Sequence, residues 1–319
     1  MNRPTIKASL TEKFGFSIIE LLIATMLALL LVTVILNVTL QGSRLSQQLR
    51  LRNEILENGR YLINSMDDEI SHAGYYGPVD LAKISGSVKA DLCSGIDTDA
   101  IGNTLNFPVD GLDNVPANYR VCRGERALPN SDVLVIRHAE KTPMTVGQSL
   151  IGTQHYIQAL GDQYIIDRGV NAVAFLLKQK DSAIVAPIRS WQQAIYYVSE
   201  NNVLKRRRLL RGKYSPSEPL AEGVDDFQIM YGIARPNNSR NVAQGLSVDF
   251  VSLPATVSEW KNIVAIKYYF LLSSTEAYNP LVSNKSYRYA DKSAITFNDN
   301  KKRRLFSGYT RLRNNVPKQ

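Results

Sequence analysis

Histidine and cysteine are scarce, three and two among 319 residues. His72, His138 and His155 stand far apart, and neither they nor Cys93 and Cys122 show the spacing of a zinc site. Gly-x-Ser-x-Gly, Gly-x-Gly-x-x-Gly and the Walker Gly-Lys-Ser/Thr are absent. Their absence removes the sequence grounds for a nucleophile elbow, a dinucleotide turn or a phosphate loop. Asp225-Asp226 is an adjacent carboxylate pair, but neighbours on a strand point to opposite faces, so joint acid–base work is not expected. The sequence offers no catalytic constellation and implies no cofactor and no metal. Charge is missing too, across one long stretch: none falls between Glu20 and Arg44.

That stretch organises the chain. From Leu21 to Leu36 every residue is apolar apart from Thr25 and Thr33. Phe16 to Val38 makes about 34 Å of helix, enough to cross a hydrocarbon core of roughly 30 Å. One acid, Glu20, stands near its start. An unpaired carboxylate within lipid costs roughly 2.5–3.5 kcal/mol, so its presence points to a function. Arg3, Lys7 and Lys13, against Glu12 alone, hold the preceding residues on the cytoplasmic side by the positive-inside rule. A secretory signal peptide has a shorter apolar region, followed by a small-residue cleavage site. A plain membrane anchor leaves both the Gly15-Phe16 junction and its spacing from Glu20 unexplained.

Helical periodicity continues beyond the apolar run. Leu45, Leu49, Ile55, Leu56, Leu62, Ile63, Met66 and Ile70 recur at three- and four-residue steps among charged neighbours, the pattern of an amphipathic helix. Gly74, then Gly77-Pro78, gives its stop. Gly42 and Gly59 inside the pattern each cost roughly 1 kcal/mol relative to alanine, and mark either bends or tolerated glycines. Residues 74–131 are rich in glycine and proline and read as an irregular insertion lying over a sheet. From 132 onward short apolar runs separated by turn residues predict antiparallel strands. Among them are Val133–Ile136, Tyr164–Ile166, Ala172–Leu177, Ala183–Val185, Ala194–Val198 and Ile263–Leu272. Glu200-Asn201-Asn202 predicts a hairpin loop, with Val203–Leu210 as the return strand.

Gly15-Phe16-Ser17-Ile18-Ile19-Glu20-Leu21-Leu22 resembles the processing site of type IV prepilins. The resemblance implies cleavage by prepilin peptidase after Gly15, N-methylation of Phe16, and pairing of Glu20 with the N-terminal amine of a neighbouring subunit. Later residues resemble the PilW family of minor pilins. They are Glu57-Asn58-Gly59-Arg60, Ala73-Gly74-Tyr75-Tyr76-Gly77, Glu222-Gly223-Val224-Asp225-Asp226 with Tyr231-Gly232, and the closing Leu312-Arg313-Asn314. J-type pseudopilins of type II secretion share much of this layout and form the alternative.

The resemblance implies an α+β, pilin-like lollipop: a long N-terminal helix packed on an antiparallel β-sheet domain. The expected organisation is a cytoplasmic leader (1–15), a transmembrane half-helix (16–38), an amphipathic half-helix (39–73), the loop-rich insertion (74–131) and a β-rich periplasmic domain (132–319). The expected location is the inner membrane, single-pass, and after assembly the pilus tip. Expected partners are other minor pilins and the major pilin, prepilin peptidase, the inner-membrane assembly platform and membrane lipid. In an oxidising compartment Cys93 and Cys122 predict one disulfide, worth about 3.5 kcal/mol for a loop of about 30 residues. The net charge of +9 favours acidic partners. Lys205-Arg206-Arg207-Arg208 is the candidate contact for DNA, although strand alternation splits such a row between two faces.

Overall fold

The computed structural model describes residues 15, 17–84, 91–93, 98–145, 148–178, 184–236, 246–277 and 284–315. The chain divides into two compact units, Met1–Arg50 and Leu51–Gln319. Helix α1 (Ile18–His72) begins in the first and ends in the second.

In the first unit the helix presents aliphatic side chains all round, Ile18 through Leu45 being exposed. Its few hydroxyls turn inward. Thr25 donates to the carbonyl of Leu22, Thr33 to Leu29 and Thr39 to Ile35. These three hydroxyls are thereby satisfied by their own helix. Among the described residues this is the one helix long and apolar enough to cross a membrane.

In the second unit α1 has one buried seam: Leu51, Ile55, Gly59, Leu62, Met66 and Ile70. Steps of three and four keep these residues on a single face. Leu45 and Leu49, expected in that stripe, belong to the first unit and are exposed. Two antiparallel sheets complete the unit. The first contains β1 (Val109–Leu112), β2 (Val133–Ala139), β3 (His155–Leu160), β4 (Gln163–Arg168) and β5 (Ile188–Val198), in the order β1-β2-β5-β3-β4. β6 (Val203–Leu210) pairs with β5, with β7 (Lys213–Tyr214) and with β8 (Glu218–Glu222). The second sheet has the order β10-β9-β11-β14, formed by β9 (Val224–Pro236), β10 (Leu246–Val251), β11 (Ile263–Ser273) and β14 (Arg303–Arg311). A two-stranded ribbon of β12 (Ser286–Tyr287) and β13 (Ile295–Thr296) precedes β14. The short helices α2 (Thr98–Thr104) and α3 (Val257–Lys261) lie on the connections, α3 opening with a Thr256/Glu259 capping box.

The helix seam and both sheets share one core. Ile55, Leu62, Met66 and Ile70 join Leu134, Ile136 and Tyr196 of the first sheet with Phe227, Ile229, Ile266 and Phe270 of the second. The fold is α+β, as expected. The described residues of the stretch 74–131 include α2 and strand β1 and bury Ile101, Phe107 and Val109. The Ala172–Leu177 run, expected as a strand, instead completes a 3-10 turn over Gly169–Ala174 and continues without regular structure through Leu177. Of the Ala183–Val185 run, Ala183 lies outside the described residues, and Val185 makes an isolated bridge to Lys178.

Gly59 has a packing reason. A Cβ there would lie 2.3 Å from the Phe306 ring of β14, so the helix and the sheet approach through the missing side chain. Gly59→Val should lower stability by about 2 kcal/mol through overpacking. Combined with Phe306→Ala, the loss should be less than additive in denaturant titrations, because the clash disappears with the ring.

Candidate functional site

At the N-terminal end, Gly15 and Ser17 precede the first helical residue, Ile18. Phe16 and the leader residues 1–14 lie outside the described residues. Glu20 occupies the first turn of α1, where a carboxylate complements the helix dipole. It is exposed on an otherwise aliphatic surface. In lipid or in a bundle of similar helices such a charge requires a partner.

The second constellation lies where α1 ends. Arg206 bridges Glu69 at 3.2 Å and Glu218 at 3.1 Å, and Nε2 of His138 lies 3.8 Å from Glu69. Lys141 and His72 each reach Asp68 at 3.5 Å. All of these groups except Glu218 line a cleft of about 270 Å³. Burial pushes the Glu69 carboxyl up, but His138 and Arg206 outweigh it and hold it below the usual carboxylate range. Burial pulls the His138 imidazole down, but Glu69 and the Ala139 carbonyl outweigh it and hold it above its usual value. The arrangement is a network of alternating charges that ties the helix end to the first sheet.

Asp225 and Asp226 point apart, as strand alternation requires. Asp225 meets Arg303 at 2.6 Å, and Arg303 also clasps Asp299. Asp226 accepts from Tyr289 at 2.6 Å and lies 3.1 Å from Lys292. Nearby Asp132 accepts from the backbone N–H groups of Asn114 and Ile229. Burial, reinforced by Asp113 and Asp226, pushes its carboxyl up to about 8. Between roughly pH 4 and 8 the folded chain therefore holds a proton that the unfolded chain releases, and stability falls as pH rises through that window. The His138 contribution is likewise lost as pH rises through its folded value, whereas that of Glu69 is lost only as pH falls below the usual carboxylate range. The chain should be about 2.5 kcal/mol less stable at pH 8.5 than at pH 6. Asp132→Asn should flatten that dependence in urea titrations at the two pH values.

Each of the four basic residues of β6 is committed within the chain. Lys205 pairs with Glu125 at 2.6 Å, and Arg208 reaches Glu218 at 3.5 Å. Arg206 has the two partners described above. Arg207 donates to the carbonyls of Val121, Cys122 and Ser215 and stands over the Tyr214 ring. Alternation sends Arg206 and Arg208 toward Glu218, and Lys205 and Arg207 toward the 121–125 loop. Cys93 and Cys122 form a disulfide, so Arg207 clasps the loop that this bridge closes. Among the described residues no group of three or more His, Cys, Asp or Glu could hold a metal ion.

Arg137 was not singled out from the sequence. It is 1% exposed and faces Asp110, 2% exposed, at 3.5 Å. It also donates to the Phe107 carbonyl at 2.9 Å and to Gln193 at 3.3 Å. Its backbone bonds to Gly74 and Pro108, so the turn after α1, strand β1 and strand β5 converge on it. The only sequence signal is an arginine directly after a four-residue apolar run.

The residues quoted from the two ends of the sequence meet in space. Asn314 donates to the carbonyls of Ser71 and Ala73 at the end of α1, and Leu312 binds the backbone of Val264. Residues 195–314 match the family described as Type IV Pilus-assembly protein W (PilW). The match spans 120 of the chain's 319 residues. This segment runs from within β5 to the residue that anchors the end of α1, and it includes the whole second sheet. Its Glu222–Asp226 motif is structural. Gly223 has a φ of +71°, and a Cβ there would meet the Ser273 carbonyl at 2.5 Å, while Asp225 and Asp226 anchor the 289–303 region. Matching solved structures include "Type IV-like pilin TTHA1219 from Thermus thermophilus", at 12% identity over 84% of this chain and 99% of that one, with a TM-score of 0.36. No curated protein sequence matches significantly.

Proposed function

We propose that this chain is a minor subunit of a type IV pilus that helps to initiate the fibre, in a complex with other minor pilins at its tip. Glu20 carries this reading: one carboxylate on a helix of exposed aliphatic residues, at the fifth position after Gly15. The precursor sits in the inner membrane with its leader in the cytoplasm and its β-rich unit in the periplasm. Prepilin peptidase cuts between Gly15 and Phe16, and the new amine is methylated. Glu20 then pairs with the N-terminal amine of a neighbouring subunit, major or minor, and the pair sets axial register. Leaving either charge alone in an apolar bundle is costly, so only the paired register is stable. The aliphatic helix passes from lipid into the fibre core without meeting water. The PilW segment supports the assignment to pilus assembly. Deleting the chain in its host and counting surface fibres by electron microscopy tests the role in initiation. Fibre number should collapse and return with the intact chain. Normal fibres in the deletion strain would contradict it.

A further inference from the structure

The run that sequence pattern assigned to a strand is instead an exposed aliphatic ridge. Val170, Val173 and Leu176, spaced three apart, are 72%, 83% and 69% exposed. Ile151, Ile184 and Val185 extend the patch and are also exposed. Val170 N–H donates to the Gly152 carbonyl, Lys178 bridges to Val185, and Ala186 N–H donates to Leu177.

The ridge is held firmly from beneath. The fully buried Gln158 side chain accepts from Leu177 N–H at 3.0 Å and donates to the carbonyls of Leu177 and Ala186. Phe175 is buried edge-on against Tyr156. A buried amide and an aromatic anchor thus fix a backbone on which Val170, Val173 and Leu176 are exposed. Contiguous exposed apolar surface on a fixed support marks an interaction site.

Its rim is mainly cationic, with one acid, Asp167, bonded to the Asn171 side chain. Lys178 is exposed, and the turn after β6 brings exposed Arg211 and Lys213 alongside. Arg211 N–H donates to Gln154 at 2.9 Å, and Gly212 packs on the Thr153 carbonyl, next to the Gly152 on which Val170 rests. Two copies of this face would oppose like charges, which disfavours self-association. Interfacial membrane anchors are enriched in tryptophan and tyrosine, and the exposed patch holds neither. A rigid aliphatic ridge with a basic rim complements a protein groove with an acidic one.

We infer that this ridge docks another subunit of the same fibre, one presenting an apolar groove rimmed by carboxylates. The inference rests on the pilus-subunit reading above. The ridge itself lies before residues 195–314, whereas Arg211 and Lys213 of its rim lie within them.

The test places a photoreactive phenylalanine analogue at position 173 of the full chain in its host. Irradiation should join it to a second protein that itself has a prepilin-type N-terminus, at a site flanked by Asp or Glu. The double reversal Arg211→Glu and Lys213→Glu should cut the yield roughly tenfold, a loss of about 1.4 kcal/mol of attraction. Adducts to lipid only, to a second copy, to a protein without that N-terminus, or to nothing would overturn the inference. The methylated Phe16 peptide is scored in sheared fibres of the same cells. Its presence without the adduct fails the ridge alone; its absence fails the pilus-subunit reading as well.

Discussion

Glu20→Ala should still be cut after Gly15 but should fail to enter fibres. In the proposed pathway the peptidase would read the Gly15-Phe16 junction, which the substitution leaves intact, and the carboxylate would act later, when helices leave lipid and pack together. An N-terminal amine entering an apolar bundle without its counter-charge carries the penalty of a buried unpaired ion, on the order of 3–5 kcal/mol when one partner is removed. A loss of that size changes an equilibrium by about two to three orders of magnitude, enough to exclude the variant from assembly. Immunoblots of membrane and sheared fractions separate the two steps. Processed chain confined to the membrane supports the pairing; normal incorporation refutes it.

The second large effect lies inside the domain. Arg137→Met should destabilise the folded unit by about 3–5 kcal/mol, because Asp110 would remain buried without its counter-charge. Arg137 also supports the Phe107 carbonyl and Gln193, so the entry to β1 should loosen with it. Combining Arg137→Met with Asp110→Asn should recover part of the loss, since no buried charge is then stranded. In urea titrations the midpoint should fall with the slope unchanged. A loss below about 1 kcal/mol for Arg137→Met would show that the pair is solvated.

What could be read from the sequence divides along a physical line. Features set by local periodicity were legible. The uncharged run from Leu21, the three- and four-residue spacing through Ile70 and the Asn202 turn between β5 and β6 appear where expected. The disulfide was legible from compartment chemistry and the count of two cysteines. Features that depend on residues distant in sequence were not. Nothing near Arg137 announces Asp110, and nothing near Gly59 announces Phe306. For the basic run of β6 the split between two faces was legible but the partners were not, because its acids, Glu69, Glu125 and Glu218, come from three other segments. The Ala172–Leu177 run has the composition of a buried strand, but the core is closed without it. Hydrophobicity alone does not reveal whether an apolar run faces inward or toward a partner.

The central claim is that processing at Gly15-Phe16 delivers this chain into a pilus. Mass spectrometry of sheared surface fibres from the host tests it most directly. The account predicts a peptide that begins at N-methylated Phe16 and co-purifies with the fibres. The same peptide confined to the membrane fraction would place the chain at the base, as a pseudopilin-like assembly factor. An uncut N-terminus in both fractions would contradict the account.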